Sequence, residues 1–457
     1  MLNRLTTPAS KLAGGPVGQW MKAEDSRPEG DPRAPWRLFW VAFLVRVAYM
    51  TLAHTYRVRP YMDHFGFGWE AGRIARSLAI GHGYANAFGL DTGPTAWLPP
   101  VFPMLLGGIF RVCGVYTALS AWVVLTVNCA FSAATALAVW EIGRRCFSRS
   151  NAVWAGWLWA LYPAAMQYCV RWIWETSLTV CLLAWVIVLA LRMRGIHAGP
   201  GSRREDPIEL ESRQATDWMA FGLLWGIIAL SNSSILLFLP ACALWILYGT
   251  WRRPHVLRDV AVAAMLTLAC IAPWEARNFA VFHRFIPIRG NLGAEAALGN
   301  GPGARGFLME YNHPNQSTEQ LSLYIQMGEP AYSAMRGELA RETIRANPAL
   351  YVKNTLKRIY FFWASVPSDQ PFRAEFPRTL SYAFLSLAGL FGLALALHRH
   401  APAAWLFALA FLLLPLPYYF VTVHARFRHP IEPLIAVLGV YLFQSATPRR
   451  PVRYNRT

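Results

Sequence analysis

Apolar residues arrive in long runs separated by short polar and basic connections. A hydrocarbon core of ~30 Å takes about 20 apolar residues as helix. Runs that approach this length fall at residues 36–54, 117–140, 151–168, 172–191, 218–231, 235–248, 259–274, 379–397, 402–421 and 431–443. Several are short, so the pattern predicts about ten crossings. The run 101–113 is apolar but suits an interfacial or re-entrant helix better than a crossing. Between Gly68 and Gly81 the spacing is helical, with Ala71, Ile74, Ala75 and Leu78 on one side and Arg73, Arg76 and Ser77 elsewhere. That predicts a short helix lying along the membrane surface. No repeat of fixed period and no pair of similar halves is present. The predicted fold is all-α: a polytopic membrane helix bundle of about ten spans. Two large outer loops, near 56–116 and 275–378, carry surface helices.

Composition supports the membrane class, since 55% of the 457 residues are apolar, aromatics counted. A net charge of +18 raises the question of nucleic acid. The basic residues instead form short clusters between apolar runs, which excludes a nucleic-acid partner and points to membrane lipid headgroups. The clusters are Arg27, Arg33 and Arg37; Arg144, Arg145 and Arg149; Arg192, Arg194, Arg203, Arg204 and Arg213; Arg252 and Arg253; and Arg449, Arg450, Arg453 and Arg456. With ten spans all of them fall on the same face as both termini, which the positive-inside rule makes cytoplasmic. The expected location is the inner (plasma) membrane, multi-pass. Residues 1–35 lack an apolar core for a signal peptide and are expected to be a disordered basic cytoplasmic tail, as are 446–457. The membrane domain is then 36–445. None of the seven cysteines forms a C-x-x-C pair, so neither a disulfide framework nor a zinc site is expected.

Candidate chemistry gathers on the opposite face. Glu70 sits in the first turn of the surface helix, where partial desolvation would raise its pKa and suit it to general base work. The alternative is that it only favours the helix N-terminus. Gly93 to Pro103 holds three prolines in five residues, a stiff entry to the following helix that serves as a turn or as one wall of a cleft. Glu175 lies just inside an apolar run. It is either functional or paired with Arg171 one helical turn away. The second outer loop carries Arg277, Arg284, Arg289, Arg305, Arg336, Arg341 and Arg345, which suits an anionic lipid substrate or a plain solvated surface. His424, Arg426, Arg428 and His429 crowd the last outer connection, where arginine geometry suits phosphate oxygens. Arg46, mid-span, needs an interior partner.

Three pieces together carry a family resemblance. One is Glu70 with its surface helix ahead of Pro99, Pro100 and Pro103. Another is Pro273, Trp274, Arg277 and Asn278, leading to residues 282–287 and Leu298, Gly299 and Asn300. The last is Arg426, Arg428, Pro430 and Pro433 before the final apolar run. Over residues 36–445 the chain resembles the GT-C superfamily of membrane glycosyltransferases, in particular bacterial relatives of the protein O-mannosyltransferases and of the lipid A aminoarabinose transferase.

The resemblance implies transfer of a hexosyl or pentosyl group from a polyprenyl-phosphate donor to a glycan, lipid or protein acceptor, by inverting single displacement at the outer face. It implies Glu70 and Glu175 as catalytic carboxylates. Arg277, Asn278, His424, Arg426 and Arg428 are the substrate-binding set. No residue is assigned to metal and no cofactor is required, although a divalent cation stays open. Two departures stand out. Trp69-Glu70 replaces the Asp-Glu of many relatives, which weakens a metal-dependent mechanism. Thr95 to Leu98 stands where the aminoarabinose transferase has a lysine, which argues against its substrates. The rival classes are a non-catalytic lipid or sugar transporter, and a polymerase or ligase using diphosphate-linked glycans. Glu70, Arg277 and Arg428 are expected to meet in one outward cavity.

Overall fold

The computed structural model describes residues 34–58, 65–89, 91–196, 207–307, 312–366 and 372–446; the expected tails fall almost wholly outside these. The described residues are α-helical with short 3-10 segments. The bundle comprises α1 (Ala34–Leu52), with the short helices α2 (Glu70–Ala79) and α3 (Val101–Cys113) following it. Next come α4 (Ala118–Cys146), α5 (Arg149–Leu161), α6 (Pro163–Val170), α7 (Thr176–Met193), α8 (Pro207–Ala229), α9 (Phe238–Thr250) and α10 (Val256–Phe282). The second outer loop folds as α11 (Leu292–Asn300), α12 (Thr318–Met327), α13 (Glu329–Ala346) and α14 (Pro348–Ala364). The chain ends with α15 (Phe372–His398), α16 (Ala404–Leu413), α17 (Leu416–Phe420) and α18 (Glu432–Ser445). Helices occupy all ten predicted crossings. Five of the described helices are long and apolar enough to cross a membrane: Ala118–Cys146, Thr176–Met193, Ser233–Thr250, Val256–Phe282 and Thr379–His398.

Helix starts are set by local capping. Thr117 accepts from the Ser120 N–H at 3.0 Å and Ser148 from the Asn151 N–H at 3.1 Å. Packing between spans uses small residues. A Cβ on Gly222 of α8 would meet the Ala263 carbonyl of α10 at 2.3 Å, and one on Gly226 would meet Cys270 Cβ at 2.5 Å. This four-residue glycine spacing lets the two backbones touch. The Thr267 hydroxyl then donates to the Gly222 carbonyl across the contact, at 2.9 Å.

Arg46 finds its partner at a helix break. Pro163 has no N–H, so it cannot close a hydrogen bond to Trp159, and the chain breaks between α5 and α6. Arg46 is fully buried and donates to carbonyls at this break, Ala160 at 2.7 Å and Trp159 at 3.1 Å, as well as to Ala42 at 3.0 Å. In hydrocarbon those carbonyls have no water to turn to.

The basic connections share one end of the bundle. Arg145 donates to the Ile196 carbonyl and Arg194 to the Trp245 carbonyl. Arg399 bonds Ser445, and Gln444 bonds Ser150. Those contacts join the C-terminal ends of α4, α7, α9, α15 and α18 with the start of α5.

At the other end lies an outer layer with its own core, built from both large loops: Ile74, Tyr84, Phe88, Trp97, Trp274, Ala294, Tyr324 and Tyr332 among others. Ala71, Ile74 and Ala75 of α2 are buried, as the helical spacing predicts. Arg73 and Ser77, expected on the opposite side, are buried too, because the second loop covers that side. The two-ended arrangement predicts that a cysteine at Arg252 and one at Asp91, both exposed, react with a membrane-impermeant maleimide from opposite sides. Labelling of both from one side contradicts it.

Candidate active site

The first outer loop turns sharply before α2. Gly68 has φ of 85°, and a Cβ there would lie 2.1 Å from the Ile173 carbonyl, so glycine is required on both counts. Trp69 follows with φ of 54°. This turn presses the start of α2 against the α6–α7 connection and brings Glu70 to the segment that ends in Glu175. Glu175 immediately precedes α7 and makes no side-chain cap. It forms no ion pair with Arg171, which is exposed beside the Trp172 ring. The charge of Glu175 reaches Tyr418, as do those of Arg289 and Arg426.

Glu70 is enclosed by the second outer loop, its side chain 16% exposed. Asn315 donates from Nδ2 to Glu70 Oε1 at 2.6 Å and accepts at Oδ1 from Arg73. His313 Nε2 lies 3.4 Å from the same carboxylate oxygen. Its Nδ1 accepts the Asn315 backbone N–H at 3.2 Å, so the proton of the neutral ring sits on Nε2 and faces Glu70. Burial pushes the His313 pKa down to about 4, which keeps the ring neutral. Burial also raises the Glu70 pKa above the ordinary carboxylate value. Its own backbone N–H and the charges of Arg73, Arg426 and Arg289 pull the other way.

The two arginines on other elements whose charges act on Glu70 differ in their engagement. Arg426 follows His424, whose Nδ1 caps the Arg426 backbone N–H at 3.3 Å. Its guanidinium lies 4.3 Å from the Trp174 ring centroid, and its buried Nε has no hydrogen-bond partner. Arg289 donates from Nε to the Trp97 carbonyl at 3.3 Å and lies 3.7 Å from Glu295. The sequence reading counted Arg289 only among the loop's cations. It did not single out His313 and Asn315, whose polar segment carries no periodicity to mark it.

Three residues of the expected substrate-binding set, Arg428, Arg277 and Asn278, are bonded inside the protein. Arg428 is fully buried, and all three of its nitrogens donate inside the protein: to Glu432 at 2.8 Å, the Tyr382 carbonyl at 2.8 Å, the Tyr162 hydroxyl at 3.2 Å and Ser386. It sits one turn before Glu432 on the path into α18, so its natural partner is that carboxylate. Arg277 donates to the Thr95 and Tyr84 carbonyls, each at 2.7 Å, and to Asn278. Buried Asn278 in turn reaches the Ile286 carbonyl. These residues are bonded to protein groups other than Glu70, whereas the charges that act on Glu70 from other elements are those of Arg426 and Arg289. The proline-rich stretch is clasped from the other loop as well. Glu329, at the start of α13, accepts from the Ala96 N–H and the Tyr324 hydroxyl, each at 2.8 Å, and from Thr95. Among the described residues no group of three His, Cys, Asp or Glu side chains is placed to hold a metal ion.

The different engagement of Arg428 and Arg426 predicts unequal stability effects. Glu432→Gln strands the Arg428 guanidinium and should cost roughly 3–5 kcal/mol, read as a lower unfolding midpoint in detergent. Arg426→Gln breaks no side-chain hydrogen bond and should leave the midpoint nearly unchanged. The reverse order contradicts the assignment.

No family model matches the chain, and no curated protein matches it. Solved structures do. The Archaeoglobus fulgidus oligosaccharyltransferase in the apo form is 14% identical, with a TM-score of 0.50 over 92% of this chain and 51% of that one. The same enzyme tethered with an acceptor peptide gives 14% identity and 0.50 over 91% and 50%. ArnT from Cupriavidus metallidurans bound to undecaprenyl phosphate is 14% identical over 90% and 78%, with a TM-score of 0.37. The chain thus spans about half the length of the oligosaccharyltransferase chains it matches. At that identity the likeness shows the fold alone, an architecture shared with about half of the oligosaccharyltransferase chain.

Proposed function

We propose that this chain is a membrane glycosyltransferase that moves a sugar from a polyprenyl-phosphate donor to an acceptor hydroxyl at the end of the bundle holding Glu70. The observation that carries the reading is a buried carboxylate of raised pKa, held by Asn315 and His313 and acted on by the charges of two arginines from separate elements. The solved oligosaccharyltransferase with an inhibitory peptide and a dolichol-phosphate, and ArnT with undecaprenyl phosphate, are consistent with this ligand chemistry.

In the proposed step Glu70 takes the proton of the acceptor hydroxyl as its oxygen bonds to the anomeric carbon. The bond from that carbon to the phosphate oxygen breaks on the opposite side, which inverts the anomer. The polyprenyl phosphate leaves with the bonding pair, and Arg426 and Arg289 stabilise the charge that develops on it. Asn315 and neutral His313 hold the carboxylate in place. A raised pKa brings Glu70 nearer to the working pH, which makes it a stronger base. Glu175 orients the acceptor. The membrane domain 36–445 would carry the whole reaction, with the basic end in the cytoplasm of a plasma membrane.

Glu70→Gln keeps shape but removes the base, so turnover should fall by roughly 10²–10⁴-fold, with donor binding kept in a direct binding assay. Unchanged turnover per folded molecule would pass the role to Glu175.

Arg426→Ala should weaken donor binding by a measurable factor and shift the pH profile. Turnover needs ionised Glu70, so the rate falls as pH drops through its raised pKa. Arg426 favours the carboxylate, so removing it should move that acidic limb to higher pH. A limb that stays in place, or moves down, contradicts the assignment. His313, held near 4, contributes no limb of its own at neutral pH.

A further inference from the structure

We propose, on the reading of the site given above, that Trp174 is a positioning residue: its ring seats Arg426 at a fixed place relative to Glu70. The Arg426 guanidinium lies 4.3 Å from the Trp174 ring centroid, whereas the next ring, Phe427, stands at 5.5 Å. Trp172 stacks on Trp174 with centroids 4.7 Å apart and planes within 9°. Two groups of that size do not fit on one face, so Arg426 and Trp172 clamp the ring from opposite sides. The backing ring is itself anchored. Fully buried Asn128 of α4 donates to the Trp172 carbonyl at 3.3 Å.

The same segment seats the carboxylate. The Gly68 turn that starts α2 rests on Ile173 and Trp174, since a Cβ at 68 would meet the Ile173 carbonyl at 2.1 Å and the Trp174 ring edge at 3.4 Å. Glu70 stands two residues beyond. One side chain of the α6–α7 connection thus touches both the turn that delivers Glu70 and the arginine that follows His424. Its chemistry suits the task. A guanidinium attracted to the negative face of an indole is held by charge, and its N–H bonds stay available for oxygens. Arg277 and Arg428 are held instead by carbonyls and a carboxylate, which use those donors up.

The seating has a signature that simple packing does not share. The charged and titratable groups around Glu70 are His313, Arg73 of its own helix, and Arg289 and Arg426 from other elements. Burial raises the Glu70 pKa and Arg426 lowers it. Loss of a ring that only filled space would admit water to Glu70 and lower the pKa. Loss of a ring that holds Arg426 would release the cation and raise it.

The test follows the Glu70 carboxyl by infrared difference spectroscopy against pH, with the full-length Glu70→Gln chain as the subtraction, and measures binding of undecaprenyl phosphate beside it. Trp174→Leu should raise the Glu70 pKa and weaken that binding about five- to tenfold, the size of one partly desolvated cation–π contact. Trp174→Phe keeps an aromatic face and should recover most of both. Adding Trp174→Leu to Arg426→Ala should change little beyond Arg426→Ala alone, because the ring acts through that arginine. A Glu70 pKa that stays in place or falls in Trp174→Leu overturns the proposal, as do effects of the two substitutions that add in full. If both substitutions raise the Glu70 pKa while undecaprenyl phosphate binds as before, the positioning role stands and the donor reading fails. Should Trp174→Leu not fold, a ring-fluorinated tryptophan at 174 keeps the shape and weakens the negative face. The Glu70 pKa should again rise, and an unchanged value overturns the proposal.

Discussion

Backbone carbonyls freed at helix breaks must find donors in an interior without water, and arginine supplies them here. An unsatisfied polar group in an apolar environment costs several kcal/mol. Arg46 closes the gap left by Pro163. Arg277 holds two carbonyls of the first outer loop. Arg358 bridges the Gly299 and Tyr419 carbonyls and the Asn300 side chain, which ties α11 to α17. Arg428 holds the Tyr382 carbonyl and Glu432. Each guanidinium offers five donors in a fixed fork, so one side chain can satisfy groups on several segments at once. These four arginines are thus architectural.

The candidate site follows from that commitment. With Arg277 and Arg428 engaged, Arg426 and Arg289 are the cations that reach Glu70 from other elements. Their placement depends on the outer layer. Glu329 and Arg277 fasten the proline-rich stretch from two directions, and that stretch carries Trp97, whose carbonyl receives Arg289. The same layer lays His313 and Asn315 over Glu70, covering most of the side chain while giving the carboxylate donors. Burial and hydrogen bonding oppose each other at Glu70, and burial is the larger effect. A carboxylate in that balance is held in a defined position yet remains able to take a proton.

The spans were legible because bilayer thickness imposes a length and a composition that a linear reading detects. The helix at Val101–Cys113 and the buried side of α2 followed from the same periodicity. Burial of Arg73 did not, because amphipathic spacing reports the first surface a helix packs on and is blind to a second layer. The internal partners of Arg277 and Arg428 were hidden for a related reason. A buried arginine bonded to carbonyls and an arginine facing a ligand look alike in sequence. Glu432, one turn after Arg428, was the available sign that this residue was already paired. Nothing local marked His313 or Asn315, since they meet Glu70 across more than 240 positions of chain.

The account turns on which arginines receive the donor's phosphate. A structure of the protein with a polyprenyl phosphate bound tests this most directly. The phosphate should lie within hydrogen-bond reach of Arg426 and Arg289 and beside Glu70, with Arg428 still paired to Glu432. A phosphate held by Arg428 or Arg277, or one bound away from Glu70, would contradict it.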